Sequence, residues 1–385
     1  MKLGKIYVAG VGLTKIGEHW DRGLEQLMVE AALKALEDSG LSRVNSIYVG
    51  NMAGEFLQEQ AHLGAIIAED LGMVGTPAYR VEAANASGAA AIHAGAMEIA
   101  SGKADAVLVV GCEKLSDGLA EEVSSALLMG ERQEYEGFIG ADFYSINALL
   151  YKLYMKHYGV KDDMVAVFPM LSHKHAKGVA HAQYPFEVSL EKILSSPYIS
   201  EPLRRFEVSG VGDGAAAIVL IGEGLKSKIK APKTELYISS ATDFMTPFER
   251  EDPLRFQSLD VAVNKVLNEA KVDRGDVDLI EVHDATSIMA AISLESSGFA
   301  EPGESGKLAM NGEFDLGGRL PYNTFGGLKA RGNPFGATGV YQVVELHLQL
   351  TGRAGKNQVD SPKVGMAQSL GGVGATAIVT LLKAV

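Results

Sequence analysis

The amino-acid sequence predicts an α/β protein made of two copies of one unit, stacked as five αβαβα layers. Three observations lead there. The chain runs strand, helix, strand twice over, in the same order. Its strands are near-continuous β-branched runs, as expected of strands covered on both faces. Each half also closes on a glycine-rich segment followed by a further apolar strand.

The first copy opens with a strand, KIYVAGVGLT (5–14). In LEQLMVEAALKALEDSGL (24–41), Val29, Ala32, Leu33 and Leu36 recur at three-and-four spacing, the stripe of an amphipathic helix. NSIYVGN (45–51) is the next strand. The second copy repeats the order with ELYISSATD (235–243), LDVAVNKVLNEAKV (259–272) and VDLIEVHD (277–284). The parallel continues. YRVEAANASG leads into helix AAAIHAGAMEIASG and strand AVLVVG (106–111); LPYNTFGG leads, through KARGNPFGATG, into helix VYQVVELHLQLTG. VSGVGDGAAAIVLIG (208–222) and VGMAQSLGGVGATAIVTLL (364–382) read as closing hairpins. The halves span 1–225 and 232–385, with mostly parallel sheets covered by helices. A segment without counterpart, 113–206, reads as a helical insertion laid over the ligand site.

Composition narrows the function. The formal charge of −13 disfavours nucleic-acid and anionic-membrane partners. No apolar stretch approaches the roughly eighteen residues of a membrane span. MKLGKIYVAGVGLTKIG resembles a signal peptide, but Lys15 interrupts it and no small-residue cleavage site follows, so a first strand is expected. The single cysteine, Cys112, rules out intrachain disulfides and cysteine-rich zinc sites. A soluble cytoplasmic protein without a bound metal is the expectation.

Most glycines and histidines have structural readings. Gly210, Gly212 and Gly214 enter a strand rather than a helix, the wrong order for a dinucleotide fingerprint. His173, His175 and His181 match no standard metal spacing and are expected on a solvated or ligand-covering segment. His93 and His347 fall inside amphipathic helices, where packing explains them; Cys112 reads as a small half-buried hydrophobe. His283 differs, because it ends a strand at its carboxyl end, where open α/β sheets bind ligands.

Asn85 stands between a strand and a helix N-terminus, facing the positive end of the macrodipole. A cysteine there would have its pKa lowered to about 3.5–7.5 and be a strong nucleophile. An amide donates and accepts hydrogen bonds but is not usefully acylated. Helix capping is the competing reading of Asn85.

Taken together, VEAANASG (81–88), DGAAAIVL (213–220), EVHDA (281–285), YNTFGGLKARGNPFGATG (322–339) and SLGGVGATAIV (369–379) resemble the thiolases. The similarity covers nearly the whole chain and is greatest to the sterol-carrier-protein-like and archaeal acetoacetyl-CoA thiolase group. That resemblance implies the same duplicated five-layer fold. Thiolases make or cleave the carbon–carbon bond of β-ketoacyl-CoA through a cysteine thioester. The resemblance carries the nucleophile onto Asn85, the G-H-P histidine onto Asn333 and the H-D-x histidine onto His283. Ala285 and Gln368–Ser369 stand where some branches hold a second cysteine. Asn323, Gly326, Gly336, Gly371 and Gly372 are expected to bind the substrate.

A coenzyme A thioester is the implied substrate, with no further cofactor. A homodimer or dimer of dimers is implied too, with AVLVVG suited to sheet extension across the interface. Thiolase-like aldolases that lack the cysteine work with a small OB-fold, zinc-ribbon partner, and such a partner is expected here. Ser87, the nearest hydroxyl to Asn85, lacks an activating histidine. Two readings follow: non-covalent carbon–carbon chemistry in lipid metabolism, such as retro-aldol cleavage of a β-hydroxyacyl-CoA, and a non-catalytic acyl-CoA-binding or scaffold subunit. An acetyl-CoA acetyltransferase with substituted active-site residues is a third.

Overall fold

The computed structural model describes residues 4–385. Among these, the strands are β1 (Ile6–Leu13), β2 (Ser46–Gly50), β3 (Ala78–Val81), β4 (Ala106–Glu113), β5 (Tyr198–Ser200), β6 (Leu203–Arg204), β7 (Gly214–Gly222), β8 (Thr234–Thr242), β9 (Leu279–Glu281), β10 (Val364–Gly371) and β11 (Thr376–Ala384). All but the small β5–β6 pair join one sheet, in the order β3-β2-β4-β7-β1-β8-β11-β10-β9. The halves meet where Ile6–Val8 of β1 run antiparallel to Thr234–Leu236 of β8.

The duplication holds strand by strand. β1, β2, β4 and β7 occupy the places of β8, β9, β10 and β11, and a bridge from Ile280 to Tyr322 puts Tyr322 where β3 lies. The expectation of mostly parallel sheets fails, because only β2–β3, β2–β4 and β9–β10 are parallel. The last strand of each unit pairs with the strand that precedes it in the chain, as in a hairpin, and so runs antiparallel.

The reading of two closing hairpins is half right. β10 and β11 are joined by residues 372–375, a true hairpin. In the first half only Gly214–Gly222 is strand, and its partner is β4, with Glu113 opposite Gly214. The segment 114–213 is therefore one hairpin turn grown into a small helical subdomain. Its two ends are pinned together by Asp213, which accepts from the Leu115 and Ser116 amides, the Ser116 hydroxyl and the Lys114 ammonium. The tyrosine-rich stretch forms the Phe143–Tyr158 helix, capped by Asp142 and ended by Gly159 with φ of 66°.

Strand alternation sorts the layers. Tyr7, Ala9, Ile47, Val49, Leu108 and Val110 face the outer Leu24–Ser39 and Leu63–Asp70 helices. Val8, Val107, Val109, Ile218 and Leu220 face inward and, with Ile238, Ala367 and Ile378, bury the Ser87–Ala100 and Thr338–Leu350 helices. The Gln257–Ala270 and Ser287–Ser296 helices cover the far side of the second half. Each fully buried aliphatic side chain contributes about 1.5–3 kcal/mol. The two central helices approach through glycine: a Cβ on Gly88 would lie 2.6 Å from the Gly336 carbonyl oxygen, and one on Gly339 would lie 2.7 Å from the Ala89 nitrogen. His347 packs here as expected, with Nδ1 2.9 Å from Thr234 Oγ1.

β4 lies between β2 and β7, so AVLVVG has no free edge to extend a sheet across an interface. Its apolar character reflects coverage on both faces and both edges. The free edge of the first half is β3, whose Tyr79 is exposed. Among the described residues no helix is long and apolar enough to cross a membrane.

Candidate active site

Four connections converge at the ends of the central helices: the turn after β3, the segment after β9, the loop 323–337 and the β10–β11 turn. Each brings one or more of the residues singled out by sequence.

In the first turn Ala84 takes a positive φ of 50°. Ser87 holds the turn by donating to the Ala84 carbonyl (2.6 Å) and accepting from the Ala83 amide (3.0 Å). Its hydroxyl is thus committed. The residue before the helix is Ala86, and no side chain caps it. Capping is therefore not the role of Asn85, which is 2% exposed and whose Nδ2 has no hydrogen-bond partner among the described residues. Leaving such a group buried and unmet costs about 1–3 kcal/mol.

His283 lies just beyond β9 and is fully buried. Burial, aided by the Arg331 charge, lowers its pKa to about 3, so the ring is neutral. The Leu370 amide donates to Nδ1 at 3.4 Å, which places the ring proton on Nε2. Nε2 is also buried without a partner. His283 thus offers one N–H as a donor.

Asn333 is held at both ends, donating to Ser209 Oγ (3.1 Å) and accepting from Thr338 Oγ1 (3.1 Å). Asn323, with φ of 44°, accepts from the Val282 amide (2.7 Å), and its Nδ2 is unpartnered. A Cβ on Gly371 would lie 2.5 Å from the Ala83 carbonyl oxygen, so the β10–β11 turn rests on the Asn85 turn. Gly372 takes φ of 59° against the Gly130 carbonyl. The Gly336 amide donates to Glu113 (2.9 Å). Gly326 is different: a Cβ there would meet Ala176 at 2.6 Å, so this glycine serves packing against the Asp163–Ala176 helix.

Sequence reasoning missed two residues. Glu113 accepts from Met52, Ala53, Gly336 and Asn51, tying β4 to two site loops, and burial raises its pKa to about 7. Its signal was a lone carboxylate closing an otherwise apolar strand. Ser369 is 2% exposed with an unpartnered Oγ, beside Gly339. It stood in view only as the place of an absent cysteine.

The histidines of SHKHAKGVAHAQ are not solvated. His173, His175 and His181 are buried on three separate partners: the Phe186 carbonyl (3.0 Å), the Tyr322 carbonyl (2.7 Å) and Glu345 (2.9 Å). Glu345 also pairs with Arg331 at 2.6 Å, both side chains fully buried. Cys112 is buried in β4 with its thiol pushed well up, chiefly by burial, so it is no nucleophile. A surface groove of about 570 Å³ between the Ser87–Ala100 helix and strands β8 and β11 contains none of the site side chains.

Asn85 Nδ2 and His283 Nε2 are therefore two buried polar atoms without partners among the described residues. Residues 6–224 match the family model described as thiolase, N-terminal domain, and residues 239–384 match the thiolase C-terminal domain-like model. The chain belongs to the thiolase superfamily. An acetyl-CoA acetyltransferase of Methanothermobacter thermautotrophicus is 36% identical over 379 residues, spanning 97% of this chain and 98% of that protein. Human sterol carrier protein 2 is 30% identical over 399 residues, spanning 99% of this chain and 72% of that protein. Among solved structures, an Ltp2–ChsH2(DUF35) aldolase superposes with a TM-score of 0.85 at 21% identity, covering 100% of this chain and 99% of that one. Human mitochondrial 3-ketoacyl-CoA thiolase superposes with a TM-score of 0.77 at 18% identity, covering 100% of each chain. Both share the thiolase fold described above.

Proposed function

We propose that this thiolase-superfamily protein acts on acyl-CoA thioesters without forming an acyl-enzyme, by non-covalent carbon–carbon chemistry such as retro-aldol cleavage of a β-hydroxyacyl-CoA. The observation that carries the reading is the pair of unmet buried donors, Asn85 Nδ2 and His283 Nε2. In this reading both hold the thioester carbonyl oxygen. As the bond between the α- and β-carbons breaks, the β-hydroxyl gives its proton to water and becomes an aldehyde or ketone carbonyl. Charge collects on the enolate oxygen, and the α-carbon then takes a proton. A donor placed in this way is worth about 2.7–4 kcal/mol. His283 polarises here rather than abstracts, because its Nδ1 is engaged by Leu370.

The archaeal acetyltransferase relatives support the acyl-CoA assignment, and the DUF35-containing aldolase supports a small partner protein. A cytoplasmic homodimer or dimer of dimers completes the reading. The second reading, a non-catalytic subunit, draws on Asn85 and Asn333 standing where the resemblance puts cysteine and histidine.

The test is turnover of a β-hydroxyacyl-CoA series by the full chain, alone and co-expressed with a DUF35-type partner, followed by carbonyl release. Asn85→Ala and His283→Ala should each lower kcat about 10²–10³-fold. Mass spectrometry after incubation with acyl-CoA should find the chain unmodified. Binding without turnover under either condition would favour the subunit reading, and a stoichiometric acyl adduct would overturn the non-covalent one.

A further inference from the structure

Lys329 lies in the second-half loop and is 6% exposed. Its ammonium donates to the Val208 carbonyl (2.8 Å) and makes no ion pair among the described residues. Asp284, the carboxylate whose charge reaches it, is already bonded to the Ser172 hydroxyl and the Leu328 amide. The rings of Tyr184 and Phe206 stand 5.9 and 5.6 Å from Nζ. The same two rings border His173, at centroid distances of 6.4 and 6.2 Å. His173 is 1% exposed and commits Nδ1 to the Phe186 carbonyl, which leaves Nε2 buried and unpartnered.

A buried ammonium with a single neutral acceptor is costly unless an anion joins it. Burial lowers the Lys329 pKa to about 8, so at neutral pH it remains mostly charged, with two N–H groups unfilled. Lys329 adjoins the candidate site, since Val208 precedes Ser209, the residue that holds Asn333. Tyr184 and Phe206, the rings beside the ammonium, are partly exposed.

We propose that Lys329 seats a carboxylate carried by the acyl group, so that the protein selects acyl-CoA thioesters of dicarboxylic acids. The inference rests on the acyl-CoA reading and adds the class of acyl group. The ammonium and the carboxylate pair beside these two rings, where the low dielectric strengthens the attraction. Burial and the Lys329 charge lower the His173 pKa to about 4, so its ring stays neutral and the ammonium alone pairs with the anion.

Calorimetry on the full chain tests this with matched pairs: succinyl-CoA against 4-methylpentanoyl-CoA, and glutaryl-CoA against 5-methylhexanoyl-CoA. Each pair shares its coenzyme A and differs only by a carboxylate in place of an isopropyl group. At least one acidic member should bind about tenfold tighter or more, the worth of one charge-assisted hydrogen bond. Lys329→Met should remove that preference and leave the neutral member's affinity unchanged, while Lys329→Arg should keep part of it. Equal affinities within both wild-type pairs would overturn the proposal, whether or not the variants fold. Failure of all four ligands to bind would overturn the acyl-CoA reading and this inference with it.

Discussion

The two halves share a framework and differ in which connection each has lengthened. After β3 the first half turns within residues 82–86 and enters the Ser87–Ala100 helix; after Tyr322 the second half uses residues 323–337 before its matching helix begins. At the other connection the proportions reverse. Residues 372–375 join β10 to β11, whereas 114–213 join β4 to β7. The two long segments meet each other. The Gln183 and Tyr184 amides donate to the Arg331 and Ala330 carbonyls at 2.8 and 3.0 Å, and Asn333 reaches Ser209. The repeated frame thus places Asn85 and His283, while the parts that do not repeat add Asn323, Asn333 and Ser209 around them.

This contrast makes the long second-half loop a structural keystone and leaves the short first-half turn energetically spare. Arg331→Met should be the more damaging change, because it leaves Glu345 buried without its cation, at about 3–5 kcal/mol. Urea denaturation measures it. Equal costs for Arg331→Met and Asn85→Ala would break the comparison.

His283 gives the next largest effect, and it depends on pH. Its folded pKa of about 3 lies below the ordinary 6.5, so the unfolded chain takes up a proton that the folded chain refuses. The associated stability is present above pH 6.5 and is lost as pH falls toward 3, amounting to roughly 3 kcal/mol at pH 4. His347 acts in the same direction; Glu113, with its pKa raised to about 7, acts in the opposite one. The difference between wild type and His283→Gln isolates the effect, and parallel stability curves from pH 7 to 4 would contradict it.

Gly88→Ala and Gly339→Ala probe what the halves share, the glycine contact between the central helices. Each added methyl meets backbone atoms within 2.7 Å and should cost about 1–3 kcal/mol in thermal denaturation. A cost at only one of the two would show that the contact is not symmetric. Asn85→Ala should have the smallest effect on folding, within about 1 kcal/mol of wild type, because its Nδ2 has no partner to lose. A larger loss would return Asn85 to a structural role.

Much of this was legible in the sequence. Continuous β-branched runs and three-and-four spacings marked the repeated strands and helices, and position at a strand's end marked Asn85 and His283. Strand direction was not legible, since β7 has the same apolar pattern whichever way it runs. Nor were Glu113, Ser369 and Lys329, because a buried polar side chain leaves no periodic trace when its partners lie far away in sequence. SHKHAKGVAHAQ misled for the same reason. Its polar composition suggested a wet surface, yet each histidine is buried against a different distant segment.

The central claim is that the site polarises a thioester carbonyl by hydrogen bonds instead of becoming acylated. Isotope-edited infrared spectroscopy of a carbonyl-labelled acyl-CoA bound to the protein tests it most directly. The account predicts a thioester band shifted to lower frequency, returning toward its solution position in Asn85→Ala and His283→Ala. An unshifted band, or its replacement by the ester band of an acylated serine, would contradict it.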